Sequence, residues 1–160
     1  GRRFDDAFAG EKIPTLDEVL DFMKEEGASL LIDVKINEDE ENFAEKLVQL
    51  IEAHDAFDIA RVQSFNYRFL QAIRSLNEEI KIGQILFLAA GSLSRLDVDF
   101  YTIRQTMLTE RFMEQAKRDN REVWVWTVNS PRQIKEVLNF NIDGIITDYP
   151  ERVYQLLQLN

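Results

Sequence analysis

The chain has 160 residues, enough for one domain with a real core, and its 45% hydrophobic and 11% aromatic content argues against disorder. Its 19 basic and 29 acidic residues leave a formal charge of −10, which argues against nucleic-acid binding, where a basic face must neutralise phosphates, but does not exclude a small phosphate-bearing ligand. The absence of cysteine excludes disulfides, thiolate catalysis and zinc–thiolate sites, and no apolar run approaches the ~18 residues of a membrane span.

The opening residues, Gly1 to Asp6, lack the apolar core of a signal peptide. Gly10 to Pro14 forms a loop ahead of a marked helix start: Thr15 as N-cap with Glu18 three residues on is a capping box. Leu16, Val19, Leu20 and Met23 recur at helical spacing, and Gly27 suits the stop. A first strand follows, Leu30 to Lys35, left through the acidic stretch Asn37-Glu38-Asp39-Glu40.

A helix of about four turns comes next, with Phe43, Leu47, Leu50 and Ile51 on one face. Ile59 to Phe65 is a second strand, and Asn66 caps a helix striped by Phe69, Leu70 and Ile73. Lys81 to Leu88 is a third strand, apolar enough to be buried on both faces. Ala89 to Asp97 is a loop with a short helical turn near Leu93, and Asp99 to Ile103 is a weaker fourth strand. Thr109 caps a helix containing Phe112, Met113 and Ala116. Glu122 to Val128 is the strongest strand, β-branched and aromatic throughout. Ser130-Pro131 opens a further helix, with Ile134, Val137 and Leu138 on its buried face. Asp143 to Thr147 is the last strand, and Tyr154, Leu156 and Leu157 lie on a closing helix.

Strand and helix alternate throughout, which implies parallel strands joined by right-handed crossovers. An open doubly wound sheet and part of a (βα)8 barrel both fit. No Gly-rich turn follows the first strand, so a dinucleotide fold has no support. Polar residues gather where strands end: Asp33 and Lys35, Ser64 and Asn66, Thr127 and Asn129, Thr147 and Asp148. Parallel sheets and barrels build their sites at that end. Asp33 and Lys35 share a strand face; an ion pair at a fraying strand and a site holding a metal and an anion are both open readings.

Three segments carry a resemblance: Phe8-Ala9-Gly10-Glu11-Lys12-Ile13-Pro14-Thr15-Leu16, Val125-Trp126-Thr127-Val128-Asn129 and Asp143-Gly144-Ile145-Ile146-Thr147-Asp148-Tyr149-Pro150. With Ile32-Asp33-Val34-Lys35 and Gln63-Ser64-Phe65-Asn66 in order between them, the chain resembles the glycerophosphodiester phosphodiesterase family, whose catalytic domain is a TIM barrel. The resemblance implies an α/β fold in which parallel βα units form the C-terminal portion of a TIM barrel, a partial domain over residues 1–160.

It also implies a metal-dependent phosphoric diester hydrolase that releases glycerol 3-phosphate and an alcohol from small glycerophosphodiesters. Asp33 would be a ligand of a divalent ion, Ca²⁺ or Mg²⁺, where the family usually has Glu. Lys35 would neutralise the phosphate. Trp126 would wall the glycerol or head group, with core packing its alternative, and Trp124 is assigned to the core. Asn129 and Asp148 would lie at the rim.

The family's His-Arg strand, its Glu-x-Asp metal pair and its second catalytic histidine precede the Gly-Glu-Lys-Ile-Pro segment and have no counterpart here. His54-Asp55 is read as an exposed helix C-terminus and Glu41-Asn42 as a solvated helix start. The expectation is a chain inactive by itself, with open sheet edges available for self-association. Two alternatives stand beside it: a non-catalytic binding module, and a lipid phosphodiesterase of the sphingomyelinase D type, which shares the Asp-x-Lys and Trp-Thr-Val features. The expected localisation is that of a soluble domain, cytoplasmic or attached to a membrane domain outside this chain.

Overall fold

The computed structural model describes residues 5–36, 42–87 and 93–158. Within them, helices α1 (Leu16–Glu25), α2 (Phe43–Ala53), α3 (Tyr67–Leu76), α4 (Glu110–Arg118), α5 (Pro131–Leu138) and α6 (Pro150–Gln158) alternate with strands β1 (Leu30–Val34), β2 (Ala60–Ser64), β3 (Lys81–Leu86), β4 (Phe100–Arg104), β5 (Glu122–Trp126) and β6 (Gly144–Ile145). The strands form one six-stranded parallel sheet in sequence order, β1 to β6. That order excludes a doubly wound sheet, which reverses direction part-way, and is the order of a TIM barrel.

Local chemistry explains the helix starts. Thr15 Oγ1 accepts the Glu18 N–H at 3.2 Å while the Thr15 N–H donates to Glu18 Oε2 at 2.8 Å, completing the capping box. Ser130 and Gln133 repeat it ahead of Pro131. Asn66 and Thr109 cap α3 and α4 through side-chain oxygens. Gly27, at φ +62°, takes the left-handed turn that ends α1.

Several boundaries differ from expectation. β1 stops at Val34, leaving Lys35 just past the pairing with β2. α2 runs 11 residues, three turns rather than four, after Asn42, whose side chain makes no cap bond. β4 is not the weak strand that its sequence suggested: Phe100, Tyr101, Thr102 and Ile103 are all buried. β5 ends at Trp126, and the last strand spans Gly144–Ile145, with the Asp143 and Ile146 N–H groups donating to Val123 and Val125 of β5. The helical turn near Leu93 is present as a 3-10 turn, Leu93–Arg95. The acidic exit at Asn37 to Glu40, Glu41, Leu88 at the end of the third strand and the loop residues Ala89 to Ser92 lie outside the described residues.

The sheet has two different faces. Its convex side carries the helices over a core that includes Leu47, Ile51, Val62, Leu70, Ile73, Ile82, Ile103, Val125 and Ile134. Phe100 and Ile85 are equally buried yet stand apart from that core, because they point to the concave side. There, Thr102 on β4 donates to Gln63 on β2, and Arg61 on β2 pairs with Glu122 on β5 at 3.1 Å. β2 and β5 are three spacings apart, about 14 Å in a flat sheet, so these contacts require a strongly curled one.

Two glycines make room inside the curl. A Cβ on Gly83 would lie 2.0 Å from the Phe100 ring, and one on Gly144 would lie 2.5 Å from Trp124. Trp124 thus fills the concave interior, against Phe100 at 5.8 Å, with its indole N–H donating to Glu122. No helix of the described residues is long and apolar enough to cross a membrane.

Candidate active site

The two ends of the strands do different work. At the N-terminal end a hollow of about 690 Å³ is lined by Lys81, Asp99, Lys117, Arg121 and Asp143 among others. Its carboxylates are occupied in holding strands. Asp99 accepts the Ile82 N–H at 2.8 Å and Arg74 at 2.6 Å, and Asp143 accepts the Val123 N–H at 2.7 Å. Burial pushes the Asp99 carboxyl up, but the Ile82 hydrogen bond and the Arg74 guanidinium outweigh it and hold it below the usual range. That end is a stability face, as the N-terminal end of barrel strands is.

The C-terminal end gathers the residues expected from sequence. Asp33 and Lys35 do share a face: Lys35 Nζ donates to Asp33 Oδ2 at 2.9 Å. Both are exposed, the lysine side chain 75%. An exposed pair of this kind is worth less than about 1 kcal/mol, so a phosphate oxygen can replace the carboxylate at little cost. The backbone beneath is fixed from β2, where Ser64 Oγ donates to the Val34 carbonyl at 2.8 Å and accepts the Asn66 N–H at 3.1 Å. Gln84 ties the next strand on, donating to the Ser64 and Phe65 carbonyls at 3.2 and 3.0 Å.

Past Ser64 the mouth is aromatic. Phe65 stacks on Phe87 at 4.6 Å, and Phe87 meets the edge of Trp126 at 5.9 Å. Phe65 and Phe87 are 41% and 55% exposed, a patch of ring surface at the end of an otherwise filled interior. Trp126 is half-buried, and its Nε1 has no hydrogen-bond partner. Arg104 lies over both rings, 5.7 Å from Phe87 and 5.5 Å from Trp126. Lys35 and Arg104 place positive charge at the mouth of a chain whose net charge is −10.

Asn129 and Asp148 are joined to each other. Asn129 Nδ2 donates to Asp148 Oδ2 at 2.7 Å, and Asn129 Oδ1 accepts the Asp148 N–H at 3.0 Å and the Thr147 hydroxyl at 3.1 Å. Arg152 donates to the Asn129 carbonyl at 2.7 Å while stacking on Tyr149. Asn129 and Asp148 therefore fasten the loop after β5 to the loop after β6. His54 is not exposed as expected: its side chain is only 13% accessible, and its ring nitrogens contact Asp17 at 2.7 Å and Asp21 at 2.9 Å on α1. Lys24 also donates to the His54 carbonyl. The lone histidine is a helix–helix clamp on the outer layer.

A divalent ion needs about six oxygen ligands, usually several of them carboxylates. Among the described residues no three acidic or imidazole groups converge to hold a metal. Asp33 offers one carboxylate, already paired with an ammonium. These residues alone do not fit a divalent-ion site.

Sequence reasoning missed Phe65, Phe87 and Arg104 as mouth residues. Arg104 lies one residue past the expected end of the fourth strand, in register with Trp126.

A family model described as the glycerophosphoryl diester phosphodiesterase family matches residues 1–152. YhdW of Bacillus subtilis, provisionally named a glycerophosphodiester phosphodiesterase, is 31% identical over 94% of this chain and 65% of its own length. A glycerophosphodiester phosphodiesterase of Caldanaerobacter subterraneus subsp. tengcongensis is 26% identical over 99% of this chain and 67% of its own. The chain thus spans about two thirds of the length of these curated relatives. Among solved structures, an Oleispira antarctica phosphodiesterase in complex with the product sn-glycerol 3-phosphate superposes with a TM-score of 0.82 at 24% identity, over 91% of this chain and 62% of that one. A glycerophosphodiester phosphodiesterase from Parabacteroides distasonis gives the same TM-score at 23% identity, over 94% and 66%.

Proposed function

Because the chain belongs to the glycerophosphoryl diester phosphodiesterase family, we propose that its C-terminal mouth is the phosphate- and alcohol-binding part of a barrel that hydrolyses glycerophosphodiesters to glycerol 3-phosphate and an alcohol. The observation that carries this reading is Lys35, an exposed ammonium beside the end of β1, paired among the described residues with Asp33 at 2.9 Å. A phosphodiester seated there exchanges one anion for another. The ammonium then offsets the negative charge that grows on the phosphoryl oxygens as the leaving alkoxide departs. Trp126 and Phe87 supply ring surface for the carbon skeleton of the substrate, and Asn129 with Asp148 keeps the neighbouring loops in place.

Among the described residues no histidine stands at the mouth to carry a proton. The sequence has one histidine, and it is engaged with Asp17 and Asp21 on the helical layer. A divalent cation, Ca²⁺ or Mg²⁺, would polarise the phosphoryl group when bound, but among the described residues no three acidic or imidazole groups converge around Asp33 to hold it. The chain therefore binds substrate and product without turning substrate over. The outer edges of β1 and β6 are where further strands would pair, from a second copy or another chain.

The test compares turnover of glycerophosphocholine, with added Ca²⁺ or Mg²⁺, against binding of sn-glycerol 3-phosphate. Binding without turnover is expected. Turnover at the rate of a full-length relative would reject the claim of inactivity, and no binding would reject the site. The position of His54 also favours a second reading, a non-catalytic binding module on the same scaffold. Phosphate binding that survives Lys35→Ala would select it.

A further inference from the structure

Arg104 is an exposed cation with an unusual setting. Its guanidinium lies over two rings, Phe87 and Trp126, at 5.7 and 5.5 Å. The other arginines that stack on rings here also bond to protein oxygens: Arg61 to the Glu122 carboxylate, Arg152 to the Asn129 carbonyl. Among the described residues Arg104 forms no ion pair with a carboxylate. Ring faces fix the plane of a guanidinium without using its N–H groups. Its fork of donors is thus oriented and available for a planar or phosphate anion.

Its place in the fold matters as much. Arg104 closes the register row that ends in Trp126, at the C-terminal end of β4. Lys35 stands at the same end, next to β1, three strand spacings away. That is about 14 Å along the sheet and less across the chord of the curl. A ligand with its phosphodiester at Lys35 and an extended alcohol half therefore reaches Arg104 across the mouth.

The same rings would otherwise suit a quaternary ammonium, since Phe65, Phe87 and Trp126 form the kind of aromatic surface that binds choline. The guanidinium already occupies two of those faces, and its charge repels a second cation.

We propose that Arg104 is a specificity-determining residue that selects glycerophosphodiesters whose alcohol half carries an anionic group and disfavours the choline ester. The proposal rests on the function proposed for this mouth and adds the class of substrate. The experiment measures, by calorimetry on the full chain, binding of glycerophosphoinositol 4-phosphate, glycerophosphocholine and sn-glycerol 3-phosphate. The native chain should bind the inositol phosphate ester roughly tenfold more tightly than the choline ester. Arg104→Gln should reduce that ratio to about one, and Arg104→Lys should keep its direction with a smaller value. Circular dichroism melts verify that both variants fold. A ratio unchanged by Arg104→Gln, or a native preference for the choline ester, overturns the assignment of Arg104. A native chain that binds none of the three, sn-glycerol 3-phosphate included, overturns the underlying function as well.

Discussion

The hydroxyl of Thr102 on β4 donates to the side-chain oxygen of Gln63 on β2 at 2.8 Å, passing over the strand between them. Thr102 and Gln63 are 1% and 5% exposed, so neither has water as an alternative partner. Thr102→Val keeps the shape and strands the glutamine oxygen. The expected loss is about 1 to 3 kcal/mol of unfolding free energy, measured by urea denaturation. A loss much smaller than this would mean that water reaches the concave face and that the curl is looser than described.

Gly83 and Phe100 make a second test of the curl. A methyl group at Gly83 would overlap the Phe100 ring at 2.0 Å. Gly83→Ala should destabilise by about 1 to 3 kcal/mol through overpacking. Adding Phe100→Leu should recover part of that loss, although the leucine substitution alone destabilises. Additive effects in this double-mutant cycle would show that the two side chains do not meet.

The C-terminal end of α2 predicts a pH dependence. The hydrogen bond to Asp17 leads in raising the His54 pKa above 6.5, with Asp21 adding to it and burial opposing. Lys24, bonded to the His54 carbonyl, is the facing cation. A pKa raised by folding means that the stabilisation is fully present below the unfolded value and is lost as pH rises through the folded one. Stability should therefore fall as pH is raised from about 6.5 upward, and His54→Gln should flatten that part of the profile. A native profile identical to that of His54→Gln would remove the clamp.

How much of this was legible in the sequence depends on how local each feature is. The capping box at Thr15, the Ser130 cap ahead of Pro131 and the shared face of Asp33 and Lys35 follow from residues one to three positions apart, and the structure has them all. The strand-helix alternation gave the parallel βα architecture for the same reason. The His54 clamp joins residues 33 and 37 positions apart, and the Arg104 platform depends on where β4 ends and how far the sheet curls. Neither is written in a spacing. Their positions put Asn129 and Asp148 after strand ends and the family resemblance implied a place at the rim, but only the folded chain brings their side chains to 2.7 Å.

Metal affinity gives a further prediction. Among the described residues the mouth offers Asp33 and Asp148, with no third acidic or imidazole group converging on either, so Ca²⁺ should bind this chain with Kd weaker than about 1 mM, and Asp33→Asn should change little. Micromolar binding abolished by that substitution would mean that carboxylates do converge at the mouth.

The most direct measurement is an NMR titration of the chain with sn-glycerol 3-phosphate. The account predicts shifts at the backbone amides of Asp33 and Lys35 and at the Trp126 indole, with affinity reduced roughly tenfold in Lys35→Met. Shifts confined to the opposite end, around Asp99 and Asp143, or binding untouched by Lys35→Met, would contradict it.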